Sequence, residues 1–322
     1  MLPRYYRVEV PWLLLFMNQP DQTYDVIVIG PGSAGLTPAI GAAGIGRRTL
    51  VIERAELGGE CTNAGCIPSK AMLHQAKSYY QAVTVAGHTD HSEAYRQAAL
   101  RYVQTKIDEV KATETVAELE AHGVTVIRGD ASFVAPCVLT VAGQRYRYHH
   151  AIIATGSAPR SLDLPGLSPE QILTNENFFQ QTTLPERLLI VGGGPIGLEL
   201  GQAAALLGSR VTIVTNEPIF GSRFEPEIAA DVQQRFAELG ITIHSDTSIQ
   251  KVTDTTAHLT NGETVGFDKV LIAIGRVPNL PEGLDVADIK YSERGILIDG
   301  QFRSSNRSVY AIGDVALPEK FT

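Results

Sequence analysis

The side chains best equipped for covalent chemistry are two cysteines in the run Gly58-Gly59-Glu60-Cys61-Thr62-Asn63-Ala64-Gly65-Cys66-Ile67-Pro68-Ser69-Lys70. A disulfide needs Cα atoms roughly 4.4–6.8 Å apart. In a regular helix, residues five apart stand roughly 8–9 Å apart and on different faces. A Cys61–Cys66 bridge therefore requires a distorted segment, and Gly65 supplies the freedom. Pro68 suits the first turn of a following helix, because its missing N–H costs nothing there. Cys66 would then lie beside a helix N-terminus, which lowers a thiol pKa and favours the thiolate. A small, constrained loop also makes a disulfide reducible and catalytic rather than structural.

Rival readings of the pair are two unrelated buried thiols, the default for any two cysteines, and a zinc site. Zinc would need two more ligands, and none sits at ligand spacing. His149-His150 is the only other cluster of this kind, and it reads as a solvated turn between strands. Cys137, isolated in a predicted strand, reads as an inert core thiol. What favours a redox-active disulfide is the nucleotide-binding pattern just upstream.

That pattern occurs twice. Asp25 to Gly30 is a short β-branched run, read as a buried parallel strand, and Gly30-Pro31-Gly32-Ser33-Ala34-Gly35 follows it. A small-residue helix to about Gly44 and a strand from Thr49 to Ile52 lead to Glu53. The second copy runs from Leu188 to Val191, through Gly192-Gly193-Gly194-Pro195-Ile196-Gly197, a helix to Leu207 and a strand from Val211 to Val214, ending at Thr215. Glu53 lies 23 positions after Gly30, and Thr215 lies 23 after Gly192. In each copy the first glycine makes a tight turn, the second lets a pyrophosphate approach the backbone, and the third lets helix and strand pack closely. The helix N-terminus then offers unpaired N–H groups and a positive dipole end to phosphate.

The strand-end residue reports on the ribose. Glu53 suits the 2′- and 3′-hydroxyls of an unphosphorylated adenosine, as in FAD or NAD. Thr215, followed by Asn216 and Glu217, removes the repulsion that a 2′-phosphate would meet. No arginine lies nearer than Arg210 and Arg223, so NADPH is only slightly preferred over NADH.

The elements that must carry these residues fit a chain of 322 residues, about two domains' worth. With 44% hydrophobic and 19% charged residues, disorder is excluded. A net charge of −8 argues against nucleic-acid binding. Three cysteines cannot make a secreted disulfide scaffold, so a cytoplasmic protein is expected. No run reaches the roughly 18 apolar residues of a membrane span. Val10 to Met17, behind Arg4 and Arg7, reads either as a short signal peptide or as an upstream extension with Met17 as the natural start. The second is preferred, because no small-residue cleavage site follows.

On these motifs the sequence resembles the class I pyridine nucleotide–disulfide oxidoreductases. Further matches run in order: Ala154-Thr155-Gly156, the second glycine motif with Glu199, Ala273-Ile274-Gly275-Arg276-Val277-Pro278-Asn279, and Tyr310-Ala311-Ile312-Gly313-Asp314. Glu60, Thr62 and Ala64 are unusual fillers of the cysteine motif. The resemblance implies an α/β fold of two Rossmann-like dinucleotide-binding domains, each with a small β-meander. An N-terminal extension (1–23) precedes an FAD domain (24–161 and 276–322), interrupted by an NAD(P) domain (162–275). A helical stretch from about Glu93 to His122 precedes a meander of strands from Val124 to Ala154.

The same resemblance implies the site. FAD would be held by Gly30, Gly32, Ser33, Ala34, Gly35, Glu53, Gly59, Lys70, Thr155, Gly156, Arg276, Gly313 and Asp314. NAD or NADP would be held by Gly192, Gly194, Pro195, Ile196, Gly197, Thr215, Asn216 and Gly275. Cys66 would be the thiol nearest the flavin, and Cys61 the interchange thiol that meets substrate. Lys70, one turn beyond Cys66, would pair with Glu199 beside the flavin and tune its electronics.

The activity implied is that of dihydrolipoamide dehydrogenase, acting on a small disulfide, a dithiol or a lipoyl protein. A mercuric reductase taking Hg(II), or a flavin diaphorase or NAD(P)H oxidase, is the alternative. Members of the family continue for roughly another hundred residues, which form a homodimer interface and supply a His–Glu pair to the partner's site. None of the eight histidines here matches that pair, so the chain is expected to be a fragment or truncated product, poorly active for lack of a general acid–base group.

Overall fold

The computed structural model describes residues 22–86, 93–219, 225–318 and 320. Val10 to Met17, the choice of start codon and Arg223 lie outside the described residues.

The first part of the chain runs β1 (Gln22–Ile29), α1 (Ser33–Gly44), β2 (Thr49–Glu53), α2 (Gly59–Asn63), α3 (Cys66–Ala86), α4 (Glu93–Lys111), α5 (Val116–Ala121), β3 (Val124–Arg128), β4 (Ala131–Ala135), β5 (Val138–Val141) and β6 (Gln144–Ile153). β3, β2, β1 and β6 pair in that order, all parallel. β2 is buried at every position, as a parallel strand covered on both faces must be.

Five sequence expectations need correction here. β1 starts at Gln22 rather than Asp25, because the ten-residue β6 offers it partners from Tyr146 onward. Val124 to Arg128 is not part of the meander but the edge strand of the parallel sheet, beside β2. His149-His150 lies inside β6 instead of in a turn, exposed at both positions. Cys137 is exposed in the two-residue turn joining β4 to β5, so it is no core thiol. The helical stretch after Glu93 is also two helices, with Thr115 capping the second through its side chain at Glu118 N.

The chain then passes through β7 (Ser157–Pro159), β8 (Ile172–Leu173), α6 (Asn175–Phe178), β9 (Arg187–Val191), α7 (Pro195–Leu206), β10 (Arg210–Val214), α8 (Pro226–Glu238) and β11 (Thr242–His244). β12 (Ile249–Thr253), β13 (Thr256–Leu259), β14 (Thr264–Gly266) and β15 (Lys269–Ile272) follow. A second parallel sheet takes the order β11-β10-β9-β15-β8, and β12 to β14 form an antiparallel meander. Finally come β16 (Arg276–Pro278), β17 (Tyr291–Ser292), β18 (Gly295–Ile296) and β19 (Val309–Ala311). β16 pairs antiparallel with β7, so the outgoing and returning segments are zipped together. β19 rejoins the first sheet beside the second half of β6.

Two apolar clusters position the site. One joins Met72, Ala76, Leu100 and Val103 of α3 and α4 to Leu198, Leu200 and Ala203 of α7 and Ile190 of β9. The other packs Ile27, Leu50 and Ile153 of the first sheet against Leu284, Ile289, Ile296 and Val315 of the returning chain. The first fixes α3 against the helix of the second glycine motif. The second brings the end of the chain back beside the first.

Candidate active site

The cysteine segment is two helices with a break. α2 ends at Asn63, and α3 begins at Cys66 after Ala64 and Gly65. A Cβ on Gly65 would come 3.1 Å from Glu60 O and 3.3 Å from Cys61 Cα. The bare glycine thus lets the chain fold back over Cys61, the distortion that the spacing demands. Pro68 falls in the first turn of α3. Both cysteines are half-buried free thiols in the structure, with no bridge between them, and Cys66 lies near enough to act on Cys61. Burial, then the hydrogen bond and charge of Cys66, push the Cys61 thiol up to about 11. At neutral pH it keeps its proton and needs a base to become a nucleophile.

One turn along α3, Lys70 Nζ lies 2.7 and 2.8 Å from the two carboxylate oxygens of Glu199 on α7. The pair spans the junction that the α3–α7 cluster has already closed. Lys70 is two-thirds exposed, so the contact orients the two groups more than it stabilises the fold. Between these helices a small pocket is lined by Glu60, Gly65, Ser69, Asn175, Ile196 and Glu199.

The three glycines of each motif sit in three different surroundings. Gly30 and Gly192 have φ of +92° and +115°, which side chains rarely adopt. A Cβ on Gly35 would come 2.0 Å from Gly30 O, and one on Gly197 2.6 Å from Gly192 O, so the third glycine is set by packing. The middle glycine is different: around Gly194 nothing lies within 4 Å, and Gly32 has only Gly59 Cα at 3.6 Å. A Cβ there would enter open space at the start of a helix of 12 residues, where a phosphate can approach. Ser33 and Ala34 form the first turn of α1, and Pro195 and Ile196 that of α7.

Beside the first motif lies a cavity of about 310 Å³, lined by Gly30, Glu53, Arg54, Gly129, Asp130, Thr155 and Asn279 among others. Glu53 is buried at the end of β2 and accepts from Ala55 N at 2.6 Å; burial raises its pKa. Thr155 Oγ1 donates to Asn279 O at 2.6 Å, and Asn279 Nδ2 returns a bond to Thr155 O. With Gly156 these hold the returning segment over the cavity. Gly313 packs against Ala34, and Asp314 accepts from Ser157 Oγ at 2.7 Å. Gly59 packs on Gly32. An open phosphate turn, a strand-end acid and a cavity between them fit a dinucleotide such as FAD.

In the second motif, Thr215 is buried and its hydroxyl is spent on Glu217 O at 3.0 Å, while Asn216 is exposed. Thr215 thus shapes the turn instead of offering a free hydroxyl. Gly275, at φ +104°, stands in open space after β15. Arg276 is buried and bonds Ser157, Asn175 and Glu60.

Sequence reasoning missed Gly129 and Asp130 in the cavity wall and Asn175 at the pocket. The first two follow β3, and ligands of open α/β sheets bind beyond the carboxyl ends of strands. Reading Val124 to Arg128 as a parallel strand would have located them. Nothing local marks Asn175.

The sequence pattern of the family described as pyridine nucleotide-disulphide oxidoreductase matches residues 24–322. Over 312 residues the chain is 33% identical to a dihydrolipoyl dehydrogenase from Staphylococcus aureus, covering 90% of this chain and 65% of that protein. It is 30% identical to a mercuric reductase from the same species, covering 94% of this chain and 57% of the relative. Among solved structures, the HOCl-induced flavoprotein disulfide reductase RclA from Escherichia coli superposes with a TM-score of 0.81 at 25% identity, covering 92% of this chain and 67% of that one. The chain thus spans about two thirds or less of the curated relatives named here.

Proposed function

The chain belongs to the pyridine nucleotide-disulphide oxidoreductase family, and on that premise we propose that it is an FAD-dependent oxidoreductase linking NAD(P)H to a disulfide or dithiol, with Cys61 and Cys66 as its redox centre. The observation that carries this reading is the placement of the thiol pair at the start of α3, with Lys70 one turn on and joined to Glu199 of the second glycine motif's helix. Bound FAD would supply two-electron chemistry between a nicotinamide and a sulfur pair.

The residues divide accordingly. Gly30, Gly32, Ser33, Ala34 and Gly35 receive the flavin nucleotide's pyrophosphate, and Glu53 its ribose. Gly59, Lys70, Thr155, Gly156, Arg276, Gly313 and Asp314 line the rest of its path. Gly192, Gly194, Pro195, Ile196, Gly197, Thr215, Asn216 and Gly275 serve NAD(P)H, within an inserted unit of residues 162–275. In net terms NAD(P)H and one proton reduce a disulfide to two thiols, and the reverse direction oxidises a dithiol. Cys61, protonated at neutral pH, is the thiol that waits for substrate and for a base.

A lipoyl group is the substrate favoured, in keeping with the dihydrolipoyl dehydrogenase relative. A mercuric reductase-like role with Hg(II) as substrate is the second reading. It is favoured by the absence of an acid at Thr215, which leaves room for NADPH. A cytoplasmic homodimer is the assembly this reading implies.

The Cys61→Ser variant tests the proposal. Lipoamide or Hg(II) reduction is expected to vanish, while NAD(P)H-driven reduction of a quinone survives. Lipoamide reduction that persists in the variant would remove the cysteine pair from the mechanism.

A further inference from the structure

Glu60 has no part in the reading above, yet it is the most constrained carboxylate near the cysteines. Its side chain is 17% exposed and pairs with the Arg276 guanidinium, itself 2% exposed. Asn175 Nδ2 donates to Glu60 Oε1 at 2.6 Å. Arg276 is held in turn by Ser157 Oγ at 2.7 Å, Ser157 O at 2.8 Å and Asn175 Oδ1 at 3.3 Å. Ser157 Oγ donates onward to Asp314 Oδ2, which lies 3.7 Å from Arg276 Nε. The network therefore ties α2 to β7, α6, β16 and the turn at Gly313–Val315, five separate stretches of chain.

Its charges do not balance. One guanidinium faces two carboxylates, Glu60 and Asp314, and Glu176 on α6 adds a third negative charge nearby. Lys320 binds the carbonyls of Asp314, Leu317 and Arg294, and its charge acts on Asp314 and Arg276, so two cations stand among three carboxylates. Across the pocket, Lys70 is committed to Glu199. Burial is the largest influence on Glu60 and Arg276 opposes it; the outcome is a carboxyl pushed up to about 7.

We propose that Glu60 is a positioning residue for the cysteine pair: protonated, it packs the helix bearing Cys61 against Arg276 and Asn175, and on losing its proton among the carboxylates of Asp314 and Glu176 it loosens residues 59–66 and alters the reactivity of both thiols. This rests on the reading of Cys61 and Cys66 as the redox centre only for its consequence in turnover. The loosening itself is a property of the folded chain.

Hydrogen–deuterium exchange on the full 322-residue chain provides the test, with rates corrected for intrinsic exchange. Amides of residues 59–66 are expected to open roughly threefold or more faster at about pH 8 than at about pH 6, while those of β1 do not change. Glu60→Gln removes the dependence, and Glu60→Asp keeps it. Iodoacetamide labelling gives the second readout, with the exposed Cys137 as internal reference. The Cys61 profile of Glu60→Gln should be displaced by about half a pH unit, roughly a threefold rate change at fixed pH. Equal opening of wild-type 59–66 at the two pH values overturns the proposal, whether or not the variants fold. So does a Glu60→Gln chain that keeps the wild-type dependence. Neither assay requires flavin or turnover, so loss of disulfide reductase activity would sink the proposed function and leave this result standing.

Discussion

At the scale of single residues, the glycines separate folding from binding. Gly35 has no room for a methyl group, because Gly30 O would lie 2.0 Å from it. Gly35→Ala is expected to cost roughly 3 kcal/mol or more, as overpacking against backbone cannot be relieved by a rotamer change. Gly194 faces open space with an ordinary negative φ of −83°. Gly194→Ala should therefore leave stability within about 0.5 kcal/mol. Its cost should fall on the ligand, with NAD(P)H bound about tenfold more weakly because the backbone can no longer be approached. Chemical denaturation and a nucleotide titration on the two variants check this. Equal destabilisation by both, or unchanged NAD(P)H affinity in Gly194→Ala, would contradict the division of roles.

At the scale of elements, the sequence was most legible where the pattern was local. Both strand–turn–helix–strand units, the break at Gly65 and the i, i+4 placement of Lys70 follow from residues close together in the chain. What escaped depended on neighbours distant in sequence. β3 alternates because it is an edge strand, half covered, and alternation alone suggests a meander. His149 and His150 resemble a turn because β6 changes partners there: β5 faces residues 144–147, and β19 faces 151–153. Glu60 looked like an odd filler, since Arg276 lies far along the chain.

The meander has its own anchor. Tyr148 Oη donates to Pro136 O at 2.8 Å, and Asn306 Nδ2 reaches the same oxygen from the returning segment. Tyr148→Phe is thus expected to cost only about 1 kcal/mol, because Asn306 still satisfies that carbonyl. A lower urea midpoint at constant m-value is the expected signature. A loss several times larger would mean that the tyrosine hydroxyl alone holds the turn.

At the scale of the whole molecule, the chain leaves the first sheet at Ile153, builds the second, and returns through β16 to add β19 beside β6. Arg276 sits at this return point, so the ionisation of Glu60 touches the stability of the entire fold as well as the cysteine segment. The folded Glu60 carboxyl titrates near 7, against 4.5 for its ordinary value. A carboxyl raised in the folded state binds its proton more tightly there than in the unfolded chain. Its contribution is fully present below about pH 4.5 and is lost as pH rises through about 7. The difference amounts to at most roughly 3 kcal/mol. Wild-type melting temperature, plotted as its difference from Glu60→Gln, should fall between about pH 5 and pH 8, the window that those two values define. A flat difference would show that Arg276 keeps Glu60 ionised throughout, and a rising one that the pair outweighs burial altogether.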